Sequence, residues 1–132
     1  MTVLLDTSAF LAMLNVDDNN HSGALKEWGD LINSDRSLIS HNYVLIESFA
    51  LIQRRMGNKA VRVFEEDILP LINIEWIGER MHKSAVSALF AAGRRNLSLV
   101  DCVSFEVMRT LGIKKVFTFD SHFKEQGFHC VP

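Results

Sequence analysis

Four carboxylates in this chain stand among apolar neighbours, where a negative charge is costly. Asp6 directly follows the run Val3-Leu4-Leu5, and Asp120 directly follows Phe117-Thr118-Phe119. Glu47 is the sole charge in residues 43–52, and Asp101 sits in Leu97-Ser98-Leu99-Val100-Asp101-Cys102-Val103. No Lys or Arg lies within four residues of Glu47 or Asp101, so neither has an ion-pair partner on its own helix. Other acids, such as Asp17-Asp18 and Glu65-Glu66-Asp67, occupy polar, turn-like stretches. A buried, unpaired carboxylate costs several kcal/mol or shifts its pKa strongly.

Taken singly, each acid has a plain structural reading. Asp6 could cap a helix, Asp101 could be a first-turn acid favoured by the helix dipole, and Asp120 could be a turn residue. Glu47 could pair with a distant Arg. One arrangement accounts for all four together: convergence on one pocket, where mutual repulsion raises their pKa values unless a cation sits among them. An all-carboxylate set without His or Cys at ligand spacing suits Mg²⁺ or Mn²⁺ rather than zinc. Hydrolysis of a phosphodiester is the chemistry that such a site supports.

The elements that must position these acids are legible from the apolar pattern. Short strands are expected over residues 3–5, 37–40, 71–76, 115–119 and 128–131. Helices are expected between them: up to Leu14 with Thr7 or Ser8 as cap, then 21–32, 42–56, 59–69 ended by Pro70, and 79–92. A last helix opens at Ser98, with Asp101 three residues on in a capping-box arrangement, and closes at Gly112. The helix carrying Glu47 is apolar on nearly every side and is expected to be largely buried. Strands alternating with helices imply an α/β fold, a three-layer α/β/α sandwich with a mainly parallel sheet covered on both faces. In such sheets ligands bind outside the carboxyl ends of the strands, where Asp6 and Asp120 fall.

At 132 residues the chain fits one domain over 1–132, and 48% hydrophobic with 23% charged residues excludes disorder. The net charge of −2 provides no global positive field for nucleic acid. A polyanion would have to be held locally, and the pairs Arg54-Arg55, Arg94-Arg95 and Lys114-Lys115 are candidates, although solvated helix ends explain them equally well. Two distant cysteines argue against a disulfide scaffold and for a reducing cytoplasm. The N-terminus lacks a signal-peptide pattern, and no apolar run is long enough to span a bilayer. The five histidines show no ligand spacing. His122, just after Asp120, is expected to stabilise that turn.

The segments "LLDTSAFLAML", "NYVLIESFALIQRR", "SLVDCVSFEVMRTLGI" and "VFTFDSHFKEQGF" resemble, in order and spacing, the four motifs of the PIN-domain family, and more narrowly of its VapC-like toxin branch. The resemblance runs over nearly the whole chain and is most specific in the last two segments. It implies an α/β/α sandwich and a Mg²⁺- or Mn²⁺-dependent ribonuclease acting on RNA. The family's acidic quartet falls on Asp6, Glu47, Asp101 and Asp120, as metal ligands directly or through water. Ser8 and Thr118 fall where the family keeps small hydroxyl residues suited to bracing the ligands. The branch is commonly homodimeric and is neutralised by a small cognate antitoxin. A non-catalytic protein-binding module on the same fold is the alternative. A phosphatase with Asp6 as nucleophile would need a second Asp where Ser8 stands. A structure-specific DNA nuclease would need larger insertions.

Overall fold

The computed structural model describes residues 1–132. The chain runs β1 (Thr2–Leu5), α1 (Thr7–Leu14), α2 (His21–Ile32), β2 (Ser37–His41), α3 (Asn42–Met56) and α4 (Asn58–Val63). A π-helical turn (Phe64–Ile68) and a 3-10 turn (Leu69–Leu71) lead to β3 (Asn73–Glu75). The remainder is α5 (Glu79–Ala92), α6 (Leu99–Leu111), β4 (Lys115–Phe117), α7 (Ser121–Glu125) and β5 (His129–Val131).

All five strands are parallel, in the order β3-β2-β1-β4-β5. A parallel ladder requires crossover connections, and here the crossovers are helices that cover both faces. Central strand β1 is therefore apolar after Thr2: Val3 and Leu5 enter one core cluster and Leu4 the other. The first cluster joins them to Phe10 and Ala9 of α1, Val44 and Ile52 of α3, and Phe64. The second is built from Ala85 of α5, Val103, Val107 and Met108 of α6, and Phe123 of α7. The result is an α/β/α sandwich. No helix is long and apolar enough to cross a membrane.

The strand order reverses direction between β1 and β4. The chain winds outward through β2 and β3, then returns to place β4 and β5 on the other side of β1. At such a switch point the connections leaving the two carboxyl ends diverge and open a crevice. Asp6 leaves β1 there, with its backbone N–H bonded to Phe117 O of β4 at 3.1 Å, and Thr118 to Asp120 leave β4 beside it.

Several local expectations are corrected. The residue capping α1 is Asp6, rather than Thr7 or Ser8, and its side chain makes no cap hydrogen bond, because that carboxylate is engaged elsewhere. Helix α3 is not largely buried: only Val44, Ser48 and Ile52, a stripe spaced four apart, are fully enclosed, flanked by half-buried Leu45, Phe49 and Met56, and Ile46 is 65% exposed. The segment 59–69 is not one helix ended by Pro70. Pro70 lies in the first turn of the 3-10 segment, where its missing N–H leaves no bond unmade. Strand β4 stops at Phe117, two residues early, although Thr118 N–H still bonds Val131 O at 3.1 Å.

Phe64 is fully buried, with edge-on contacts to Phe10 at 5.0 Å and Phe49 at 5.1 Å between ring centroids. Phe64→Ala should lower the unfolding free energy by about 3–5 kcal/mol. Urea titration by circular dichroism measures it, and a loss under about 1 kcal/mol would mean that this cluster does not anchor the helical layer.

Candidate active site

Asp6 is buried at the end of β1, and its Oδ2 accepts two hydroxyl hydrogen bonds, from Ser8 Oγ and Thr118 Oγ1, each at 3.0 Å. Each hydroxyl in turn accepts a backbone N–H: Phe119 N donates to Ser8 Oγ at 2.9 Å, and Asp120 N to Thr118 Oγ1 at 3.0 Å. A hydroxyl has one proton, so both protons are committed to Asp6. The 3.1 Å approach between Ser8 and Thr118 is then a packing contact rather than a further bond. This network ties the exits of β1 and β4 together. Burial pushes the Asp6 pKa up to about 6 against the lowering effect of the two hydroxyls, and Asp101 nearby raises it further.

Asp101 enters from α6. Ser98 Oγ accepts the Asp101 N–H at 3.1 Å, and Asp101 Oδ2 accepts the Ser98 N–H at 3.1 Å, a complete capping box. The capping role and a place in the acidic cluster therefore coexist in one side chain. Burial pushes the Asp101 pKa up, the Ser98 bonds oppose this, and Asp120 adds to it. Asp120 is half-buried and caps α7 by accepting His122 N–H at 2.9 Å.

His122 joins this group, and its place is the largest omission from the sequence reading. Its Nδ1 lies 3.0 Å from Asp120 Oδ1 and 3.5 Å from Asp101 Oδ2. That nitrogen is nevertheless buried and aligned for a hydrogen bond with neither carboxylate. Donor atoms of Asp101, Asp120 and His122 all lie within 4.8 Å of one another.

Glu47 is half-buried on α3 and makes no hydrogen bond or ion pair. The structure thus groups Asp101 and Asp120 with His122, sets Asp6 close enough for the Asp101 charge to act on it, and leaves Glu47 on α3, next to Ser48, whose hydroxyl donates to Thr7 Oγ1 at 3.3 Å. Two of the three basic pairs stand apart from the acids. Arg54 and Arg55 are seven and eight residues beyond Glu47 on α3, about 11 Å down its axis. Arg94 pairs with Glu125 at 2.9 Å, and Arg95 is exposed beside it. Lys114 and Lys115 lie at the start of β4, the end of the sheet away from the acids.

A second histidine also escaped the sequence reading. His41 is fully buried at the end of β2, and its Nδ1 accepts Val44 N–H at 3.3 Å as the cap of α3. Its proton is therefore on Nε2, which donates to Ser104 Oγ at 2.7 Å. Ser104 lies one turn beyond Asp101 on α6, so this bridge fixes α3 against the helix that carries Asp101. Burial pushes the His41 pKa down to about 4.

His41 and Asp6 impose opposite pH dependences on the metal-free protein. The unfolded chain binds more protons at His41 between about pH 4 and 6.5, so this term raises stability as pH rises through that window. The folded chain binds more protons at Asp6 between 3.8 and about 6, so that term lowers stability over nearly the same window. In chelator, wild type should show a flatter stability profile from pH 4.5 to 7 than Asp6→Asn. The variant should also be the more stable at pH 7, by on the order of 1–3 kcal/mol. Urea unfolding at several pH values reads both, and parallel profiles would refute the opposition.

The PIN domain family matches residues 3–129. The "23S rRNA-specific endonuclease VapC20" of Mycobacterium tuberculosis, in two strains, is 30% identical over 127 residues, covering 96% of this chain and 95% of the relative. The crystal structure of M. tuberculosis VapC20, described as a Sarcin-Ricin loop cleaving toxin, superposes with a TM-score of 0.85 at 28% identity, over 96% of this chain and 95% of that one. FitAcB from Neisseria gonorrhoeae shares the fold, with a TM-score of 0.69 at 19% identity over 100% and 97% of the two chains. With buried acids at a parallel-sheet switch point and a family match along almost its entire length, this chain belongs to the PIN-domain family.

Proposed function

We propose that this protein is a divalent-metal-dependent endoribonuclease and the toxin of a toxin–antitoxin pair. The observation that carries the reading is the convergence of Asp6, Asp101 and Asp120 at the β1/β4 switch point, with no Lys or Arg paired to any of them.

These residues fit a cation. Buried carboxyls whose pKa values are raised by desolvation and by one another carry charge at neutral pH only at a cost, which a bound cation removes. The unpartnered, buried Nδ1 of His122 faces the same group. Asp6, Asp101 and Asp120 would hold the ion, with Glu47 completing the set from α3. Oxygen-rich donors suit Mg²⁺ or Mn²⁺. When bound, the cation supplies charge neutralisation at the scissile phosphate and lowers the pKa of the attacking water.

The chain's own groups do the positioning. The Ser8 and Thr118 hydroxyls hold Asp6 in one rotamer and keep its Oδ2 ionised-form bonds in place. The capping box fixes Asp101 at the positive end of α6. Arg54, Arg55, Arg94 and Arg95 would contact phosphates distant from the cleaved bond. The relatives' named substrate makes ribosomal RNA the first to test. A small cognate antitoxin, a homodimer and a cytoplasmic site of action complete the proposal by family likeness.

Wild type should cleave a ribosomal RNA loop fragment with Mg²⁺ or Mn²⁺ and stop in EDTA, and Asp101→Asn should fall to background. Thr118→Ala should lose about 10- to 100-fold through weaker metal affinity. Gel analysis of cleavage, with growth after induced expression as a second readout, measures each. No metal-dependent cleavage, with wild type and Asp6→Asn behaving alike, would leave a non-catalytic protein-binding module in its place.

A further inference from the structure

We infer that Trp76 is a stacking platform for one unpaired base of the RNA substrate, set to the side of the cleavage site; the inference rests on the ribonuclease reading above. Trp76 is 69% exposed, whereas Trp28, the other tryptophan, packs against the core. A single exposed apolar residue needs no explanation by itself. Place and support single this one out.

The place follows from strand register. Leu4 of β1 lies opposite Ile39 of β2, which carries Asp6 opposite His41, and His41 lies opposite Glu75 of β3. Asp6, His41 and Glu75 therefore form one row along the carboxyl edge, two strand spacings or about 10 Å long. Trp76 is the next residue after Glu75. A short stretch of RNA with its phosphate at the acids covers that distance.

The support is unusual for so exposed a side chain. Glu75 is held in the sheet, and Ile77 N–H donates to Asn42 Oδ1 of α3 at 2.6 Å, while the Ile77 side chain packs on the second core cluster. The backbone on each side of Trp76 is thus fixed while the indole stands in water. A ring on a fixed backbone loses little freedom when a base stacks on it. Tyr43, the residue after Asn42 on α3, has its hydroxyl bonded to His82 Nδ1 of α5, and their ring centroids are 5.7 Å apart. That pair fixes α5 against α3, the helix whose Asn42 holds the backbone next to Trp76. Stacking on a π-face accepts any base, so Trp76 would strengthen binding and set where the strand lies without reading its sequence.

The test is steady-state cleavage of a loop RNA by wild type, Trp76→Ala and Trp76→Phe. Trp76→Ala should raise KM by roughly 5- to 100-fold, with kcat changed far less, and Trp76→Phe should recover most of the loss. An abasic nucleotide scanned through the RNA should, at one position, weaken wild type by a similar factor and weaken Trp76→Ala no further. That non-additivity separates stacking from a structural role. Wild-type cleavage with an unaltered KM in Trp76→Ala overturns the inference and leaves the ribonuclease reading standing. A change of oligomeric mass by light scattering in Trp76→Ala, with KM unaltered, overturns it in favour of a protein contact. Absence of any metal-dependent RNA cleavage by wild type overturns the ribonuclease reading and this inference together.

Discussion

The arrangement of this molecule answers one electrostatic constraint: negative charges that repel one another are held together in a place with little water. Asp6 and Asp101 are both buried, each raises the cost of ionising its surroundings, and Asp120 adds to the field at Asp101. A chain left to minimise its free energy would turn such side chains outward. Here the hydroxyls of Ser8 and Thr118 lock Asp6 inward, and the capping box locks Asp101. The energy stored there is the difference that a divalent cation would recover, so poor stability without metal and good affinity for metal are two aspects of one geometry.

Topology decides where this happens. In the order β3-β2-β1-β4-β5, the β1/β4 junction is where the outgoing connections diverge, one toward β2 and the other toward β5. Asp6 and Thr118–Asp120 arrive at the junction as the first residues off their strands, and α6 brings Asp101 from the layer that also contains α5 and α7. The His41–Ser104 bond then ties the opposite layer, through α3, to α6. A buried neutral imidazole suits this task, because it accepts a backbone N–H on one side and donates on the other without introducing a further charge next to the acids.

What was legible in the sequence, and what was not, divides along the same physical line. Asp6 and Asp120 were legible because a charge at the end of an apolar strand is placed by the strand itself. Asp101 was legible twice, as the third residue of a capped helix and as a lone acid in an apolar run. The layered parallel fold followed from alternation alone. Glu47 was legible as an acid partly enclosed, and it is half-buried, but only three residues of its helix are fully buried, so composition overstated the enclosure of the helix. His41, His122 and Trp76 depend on register and on which side of a helix turn faces inward, and one-dimensional spacing does not contain that information. Lys114-Lys115 shows the same limit: it is adjacent in sequence to the strand that delivers Asp120, yet sits at the other end of that strand.

The net charge of −2 bears on how RNA would be recognised. Proteins that bind nucleic acid mainly by neutralising phosphates release many counterions and lose affinity steeply with salt. This chain pairs Arg94 with Glu125, carries Arg54-Arg55 well down α3, and places Lys114-Lys115 at the far end of the sheet. Few positive charges remain near the acids. Under the ribonuclease reading, affinity must come from the bound cation, from stacking and from shape. Those contributions favour a folded loop with an exposed base over a random single strand. A weakly charged nuclease of this kind gains selectivity from the same deficiency that weakens its general attraction to RNA.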